Sequence, residues 1–96
     1  MAKRNSTKRI DSDVVQGEGS YVVVRRLKIG GWRTLREKSA KEDADNFAID
    51  LETIQEYIVE WNWVDDDGEP LAFDAVDDLT IEEKSFLIGA IFTPER

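Results

Sequence analysis

The hydrophobic pattern of the chain begins with a segment that is typical of a strand. Residues 21 to 29, YVVVRRLKI, are rich in β-branched and aromatic residues. Gly30-Gly31 then suits the positive φ angles of a tight hairpin turn, and residues 32 to 36 offer a return strand. The pattern therefore predicts a β-hairpin over residues 21 to 36.

The hydrophobic spacing changes from about two to about three and a half residues between residues 41 and 61, which predicts a long helix with one apolar stripe. Most such stripes pack into a core. One hairpin and one shorter helix cannot cover about five turns of helix, so we expect part of the stripe to contact another chain. The candidate protein-binding residues are Phe47, Leu51, Ile54, Ile58, Trp61 and Trp63.

A second, shorter helix is predicted over residues 81 to 92. The preceding residues Thr80 to Glu83 have the Thr-x-x-Glu form of a capping box, in which the hydroxyl and the carboxylate each accept a hydrogen bond from the backbone. Pro94 prevents any continuation of the helix. With the hairpin and the long helix, this element predicts an α+β fold in one domain over residues 21 to 96.

The first 20 residues contain few large apolar side chains, and these are scattered among charged residues, Ser, Thr and Gly. Such limited burial cannot offset the entropy lost on ordering, so we predict a flexible basic N-terminal arm over residues 1 to 20 that orders on a partner. A nucleic acid is the weaker alternative, because no aromatic residue is interleaved to stack on bases among the basic residues Lys3, Arg4, Lys8 and Arg9.

Charge is distributed unevenly along the 96 residues. Residues 1 to 41 carry 11 basic and 4 acidic side chains, whereas residues 42 to 96 carry 2 and 17, for a formal net charge of −8. This polarity suits either a nucleic-acid arm on an acidic body or the association of copies through opposite charges.

Composition excludes several kinds of chemistry. The chain has no Cys and no His, so it lacks disulfides, thiolate metal sites and the commonest general base and zinc ligand. No apolar run approaches the roughly 18 residues that span a bilayer, and the basic start leads into polar residues rather than a signal segment. We therefore expect a soluble, cytoplasmic protein with no cofactor.

The segment EWNWVDDDGEPL, residues 60 to 71, places two indoles beside a cluster of carboxylates. A calcium loop with Gly68 at its sixth position would place Trp63 at the first ligand position, and an indole cannot coordinate calcium. Asp-Gly followed by Pro70 is typical of a solvated turn. No activated nucleophile or phosphate cradle accompanies the carboxylates, so no catalytic residue is predicted. The acidic turn comprises Asp65, Asp66, Asp67 and Glu69.

The turn does not account for the indoles that precede it. Trp61 ends the predicted apolar stripe and is expected in the core. Trp63 has two possible roles: packing beneath the turn, or acting as an exposed interface anchor, for which Trp is over-represented.

Three segments of the chain resemble a known group of proteins. YVVVRRLKIG, IVEWNWVDDDGEPL and LTIEEKSFLIGAI are similar to segments of small proteins encoded in the tail-gene region of long-tailed bacteriophages and prophages, many of them tail assembly chaperones. The resemblance covers roughly residues 20 to 92. WNWVDDDGEPL is its most specific part, with a Trp-Asn pair, an acidic turn, Gly and Pro-Leu.

This resemblance implies a non-catalytic, mainly helical protein of the host cytoplasm. It would bind the long tape-measure protein during tail assembly, often as a homo-oligomer, and could recruit the tail-tube protein. The first 20 residues fall outside the resemblance and leave open a virion structural or head-tail connector protein. An acidic inhibitor that imitates nucleic acid is the alternative from a different class.

Overall fold

A computed structural model describes residues 5 to 92, which form a three-stranded antiparallel sheet in the order β1-β2-β3 with helices packed against it. The strands are β1 (Thr7–Asp11), β2 (Tyr21–Arg25) and β3 (Ile58–Trp61). The described α-helices are α1 (Asp13–Gln16), α2 (Ile29–Ser39), α3 (Asn46–Tyr57) and α4 (Ile81–Phe92), and a 3-10 helix spans Val76–Asp78. The predicted α+β class is confirmed, whereas the predicted arrangement of its elements is not.

The hairpin of the structure lies earlier in the chain than predicted. β2 pairs with β1, from Thr7 opposite Arg25 to Asp11 opposite Tyr21. The predicted return strand over residues 32 to 36 is wrong, because these residues lie inside α2. β2 is the central strand, and its inward-facing Val22 and Val24 side chains are fully buried in the core.

Residues 7 to 20, predicted as part of a flexible arm, carry β1, α1 and the connection to β2. Backbone pairing with β2 compensates for the scarcity of apolar side chains in β1. The connection uses positive φ angles at Gly17 and Gly19, which a residue with a Cβ adopts only with strain. Two of the four basic residues named for the nucleic-acid alternative, Lys3 and Arg4, lie outside the described residues.

The predicted long helix is shorter than expected and is followed by a strand. α3 begins after Asp45, whose carboxylate accepts from the Ala48 N–H at 3.1 Å, and it ends at Tyr57. The next four residues form β3 and pair with β2, with a register shift that leaves Val59 without a partner in the ladder. The bulge places Ile58 and Trp61, three residues apart, opposite Val24 and Val22. The same three-residue spacing fits a turn of helix, which is why the sequence pattern predicted a helix here.

The C-terminal helix is confirmed over Ile81–Phe92. The Glu83 N–H donates to the Thr80 hydroxyl at 3.1 Å, and the Thr80 N–H donates to the Glu83 carboxylate at 2.9 Å, as a capping box requires. Pro94, predicted to stop the helix, lies outside the described residues. The helix packs its buried face on α3 and β2 and so closes the core.

Two adjacent glycines in the first turn of α2 allow a matched test of packing. A Cβ on Gly30 would meet open space, whereas a Cβ on Gly31 would lie 2.5 Å from the Tyr57 hydroxyl and 3.3 Å from Leu27. Gly30→Ala should therefore raise the free energy of unfolding by about 0.5–1 kcal/mol through helix propensity. Gly31→Ala should not raise the free energy of unfolding, because the added methyl group would displace the Tyr57 side chain. Urea unfolding of the two variants tests the difference, and equal stabilisation would contradict the close approach of Tyr57 to α2.

Candidate protein-binding site

The six predicted protein-binding residues do not share one exposed surface. The core contains Ile54, Ile58 and Trp63, at 1%, 8% and 1% exposure. Leu51 and Trp61 are half-buried and pack against that core. Phe47 alone among the six is largely exposed, at 52%. The stripe does not continue along one helix as predicted, because Ile58 and Trp61 lie on β3. Binding of another chain by the exposed part of the stripe stays a prediction.

Trp63 is a core residue rather than an interface anchor. Its indole stacks on that of Trp61 with ring centroids 4.9 Å apart and planes 1° from parallel. Its Nε1–H donates to the Ser12 hydroxyl at 2.9 Å, and that hydroxyl donates to the Ser20 hydroxyl at 2.8 Å. The connection between β1 and β2 thus supplies the polar partner that a buried indole requires.

The predicted acidic turn is a self-contained backbone turn. Its exposed members are Asp65, Asp66, Asp67 and Glu69. The Asp65 carboxylate accepts from the backbone N–H groups of Asp67 and Glu69 at 2.9 and 3.0 Å, and Gly68 takes a positive φ of 81°. An antiparallel bridge closes the turn. The turn therefore holds its shape by its own hydrogen bonds.

Two exposed aromatic residues that the sequence analysis missed line a groove between α2 and the end of α4. Trp32 is 42% exposed and Phe92 is 38% exposed. The groove has a volume of about 320 Å³, and its remaining lining residues are Leu35, Arg36, Ser39 and Ala40. We call it the α2–α4 groove. The helical spacing of Trp32, Leu35 and Ser39 is the sequence signal that indicates this face.

Positive charge borders the apolar surface of this groove. The Arg36 guanidinium carbon lies 4.9 Å from the centroid of the Trp32 ring, a cation–π distance. Arg33 and Lys38, on the same helix, are exposed. Such a groove favours apolar side chains that are flanked by acidic ones.

Phe47 is another exposed aromatic residue, and it lies on α3 where this helix contacts α4. The Lys84 ammonium lies 4.8 Å from the centroid of its ring and 3.0 Å from the Asp50 carboxylate. These contacts hold Phe47 to its own chain on one side and leave half of the ring exposed.

Carboxylates do not form a metal site in the part of the chain that the structure describes. Within residues 5 to 92, no three Asp or Glu side chains are grouped so that they could hold a metal ion. No helix in the same range has the length and apolar character needed to cross a membrane. The α2–α4 groove brings two exposed aromatic rings together at one surface.

Comparison with known proteins does not assign this site. No protein-family model matches the chain, and no curated protein or solved structure matches it.

Proposed function

We propose that this protein is a non-catalytic tail assembly chaperone of a long-tailed bacteriophage or prophage, and that it binds the tape-measure protein through the α2–α4 groove. One structural observation supports the binding role, namely the two exposed aromatic rings of Trp32 and Phe92 in one groove. The similarity of WNWVDDDGEPL and its flanking segments to such chaperones supports the assignment to tail assembly.

The groove suits one turn of an amphipathic helix rather than a small polar ligand. Apolar side chains at helical spacing could enter between α2 and α4, while acidic residues on the same partner helix approach Arg33 and Arg36. Shielding such side chains would keep a long, unassembled helical protein from aggregating until tail-tube subunits surround it. Binding of this kind must be reversible, which a groove of about 320 Å³ with a polar rim favours.

The test is co-expression with a bacteriophage tape-measure protein, followed by measurement of the affinity of the purified pair. Trp32→Ala should weaken binding by at least about 30-fold, the effect of losing a central aromatic anchor. Ile29→Ala is the matched control, since Ile29 lies on the same helix and is 74% exposed but does not line the groove. It should bind as the unaltered protein does.

Stability measurements separate lost binding from lost folding. Because Trp32 is 42% exposed, Trp32→Ala should change the free energy of unfolding by less than about 1 kcal/mol. Equal binding by both variants would exclude the groove as the binding surface. A protein found at fixed stoichiometry in purified virions would instead support a structural or connector role, and competition with DNA for a basic host protein would support nucleic-acid mimicry.

A further inference from the structure

A basic groove lies at one end of the sheet. Two adjoining depressions, with volumes of about 420 and 580 Å³, share the lining residues Ser6, Arg26 and Lys28. The first is also lined by Arg25 and Tyr57. We call these two depressions together the basic groove. Three cationic side chains line it, and Glu56 is the one acidic residue among its described lining residues.

Two features keep the positive charge of the basic groove available. The Lys28 side chain is exposed and has no hydrogen bond, ion pair or ring contact within residues 5 to 92. Burial raises the pKa of the Tyr57 hydroxyl above its ordinary value of 10.0, and the nearby Glu56 carboxylate adds to the rise. The hydroxyl is neutral at physiological pH, so the Glu56 carboxylate carries the opposing charge among the described lining residues.

The acidic turn has the complementary character. It presents the side chains of Asp66, Asp67 and Glu69, which are exposed and have no side-chain partner in the described part of the chain. The hydrogen bonds of Asp65 fix the backbone that carries them. Because its backbone is already ordered, the acidic turn loses little conformational entropy when it binds the basic groove.

The two surfaces lie at opposite ends of the same sheet. The basic groove adjoins the end at which Thr7 pairs with Arg25. The acidic turn follows Asn62, whose N–H donates to the Tyr21 carbonyl at 3.4 Å, and Tyr21 pairs with Asp11 at the other end. Five-residue strands separate the two ends by about 14 Å. The acidic turn of one chain therefore cannot enter its own basic groove.

From this arrangement we infer that the acidic turn of one copy docks in the basic groove of the next copy. The contact is heterologous, because each copy contributes a different surface to its two neighbours. Repetition of such a contact builds a ring or a filament rather than a closed two-fold dimer. This inference does not depend on the proposed function, because it uses the charges and the positions of these two surfaces alone.

The first test is the oligomeric state measured by analytical ultracentrifugation at low and high salt. The protein should form species larger than a dimer at about 50 mM NaCl and dissociate at about 0.5 M NaCl, where screening shortens the range of the attraction several-fold. A monomer at low salt, a closed dimer, or an assembly that persists at high salt would each overturn the inference.

Charge reversal gives a sharper test. Arg25→Glu with Lys28→Glu reverses the basic groove, and Asp66→Lys with Asp67→Lys reverses the acidic turn. Each double variant alone should weaken self-association at least about tenfold, because like charges then meet at the contact. An equimolar mixture of the two double variants should assemble again, because the reversed turn of one then faces the reversed groove of the other.

Matched controls carry the same change in net charge at exposed positions away from both surfaces. They are Arg33→Glu with Lys38→Glu, and Glu42→Lys with Glu52→Lys. The controls should assemble as the unaltered protein does, and circular dichroism should show that all variants fold. Loss of assembly in the groove variant but not in the turn variant would overturn the inference, as would a mixture that stays monomeric.

Discussion

Replacing Trp63 by alanine is expected to lower the free energy of unfolding by about 3–5 kcal/mol, the range for deleting a buried aromatic side chain. Trp63 is 1% exposed, stacks on Trp61 and packs near Phe86 with ring centroids 6.3 Å apart. Its loss removes this packing and also removes the donor to the Ser12 hydroxyl. Urea unfolding followed by far-ultraviolet circular dichroism measures the change.

Two further variants separate the causes of this loss. Trp63→Phe keeps an aromatic ring but removes the Nε1–H donor, so it should cost about 1–3 kcal/mol, less than alanine. Trp32→Ala deletes an indole of the same size from an exposed position and should cost less than about 1 kcal/mol. If Trp63→Ala and Trp32→Ala were equally stable, Trp63 could not be the core residue described above.

Replacing Glu83 by alanine is expected to cost about 2–4 kcal/mol, because a buried carboxylate with two roles is lost. Glu83 is 5% exposed, and its Oε1 accepts from the Thr80 N–H in the capping box. Its Oε2 accepts from the Gln16 side-chain amide, which also donates to the Val64 carbonyl at 3.1 Å. Removing the carboxylate leaves both donors without this acceptor and loosens α4 from α1.

The neighbouring Glu82 is the matched control, since it lies in the same helical turn and is exposed. Glu82→Ala should change stability by no more than about 0.5 kcal/mol. Thr80→Ala removes the capping hydroxyl alone and should cost about 1 kcal/mol. A double-mutant cycle of Gln16→Ala with Glu83→Ala should be non-additive, and strict additivity would show that the contact between the two side chains contributes nothing.

The sequence predicted α4 correctly because its signals are local. The capping box falls within a few residues of the chain, and the structure contains both of its hydrogen bonds. The centre of α3 was predictable for the same reason, since Phe47, Leu51 and Ile54 do lie on one helix.

The pairing of the strands could not be predicted, because it depends on residues distant in the chain. The β-branched and aromatic content of YVVVR identifies a strand but does not say which segment pairs with it. The true partners are β1, which carries few apolar side chains, and β3, whose bulge imitates helical spacing. Gly30-Gly31 resembled a hairpin turn, but these residues lie in a helix against which the Tyr57 side chain packs.

The position of the candidate site could not be predicted either, because it also depends on contacts between residues distant in the chain. Trp63 is buried because Ser12 and Ser20, from a segment predicted to be flexible, provide its polar partners. Trp32, which the sequence analysis placed in a strand, is exposed beside Phe92 from the other end of the chain. Local pattern identifies amphipathic segments, whereas tertiary packing decides which of their apolar residues remain exposed.

The order of the strands has a consequence for synthesis on the ribosome. β1 and β2 are close in the chain and can pair as soon as both have emerged, but β3 follows only after α2 and α3. Until β3 pairs, the second edge of β2 exposes unpaired backbone amides and carbonyls along a segment of three consecutive valines. The nascent chain thus passes through an interval in which its central strand could pair with another polypeptide, and this interval ends when β3 emerges and pairs with β2.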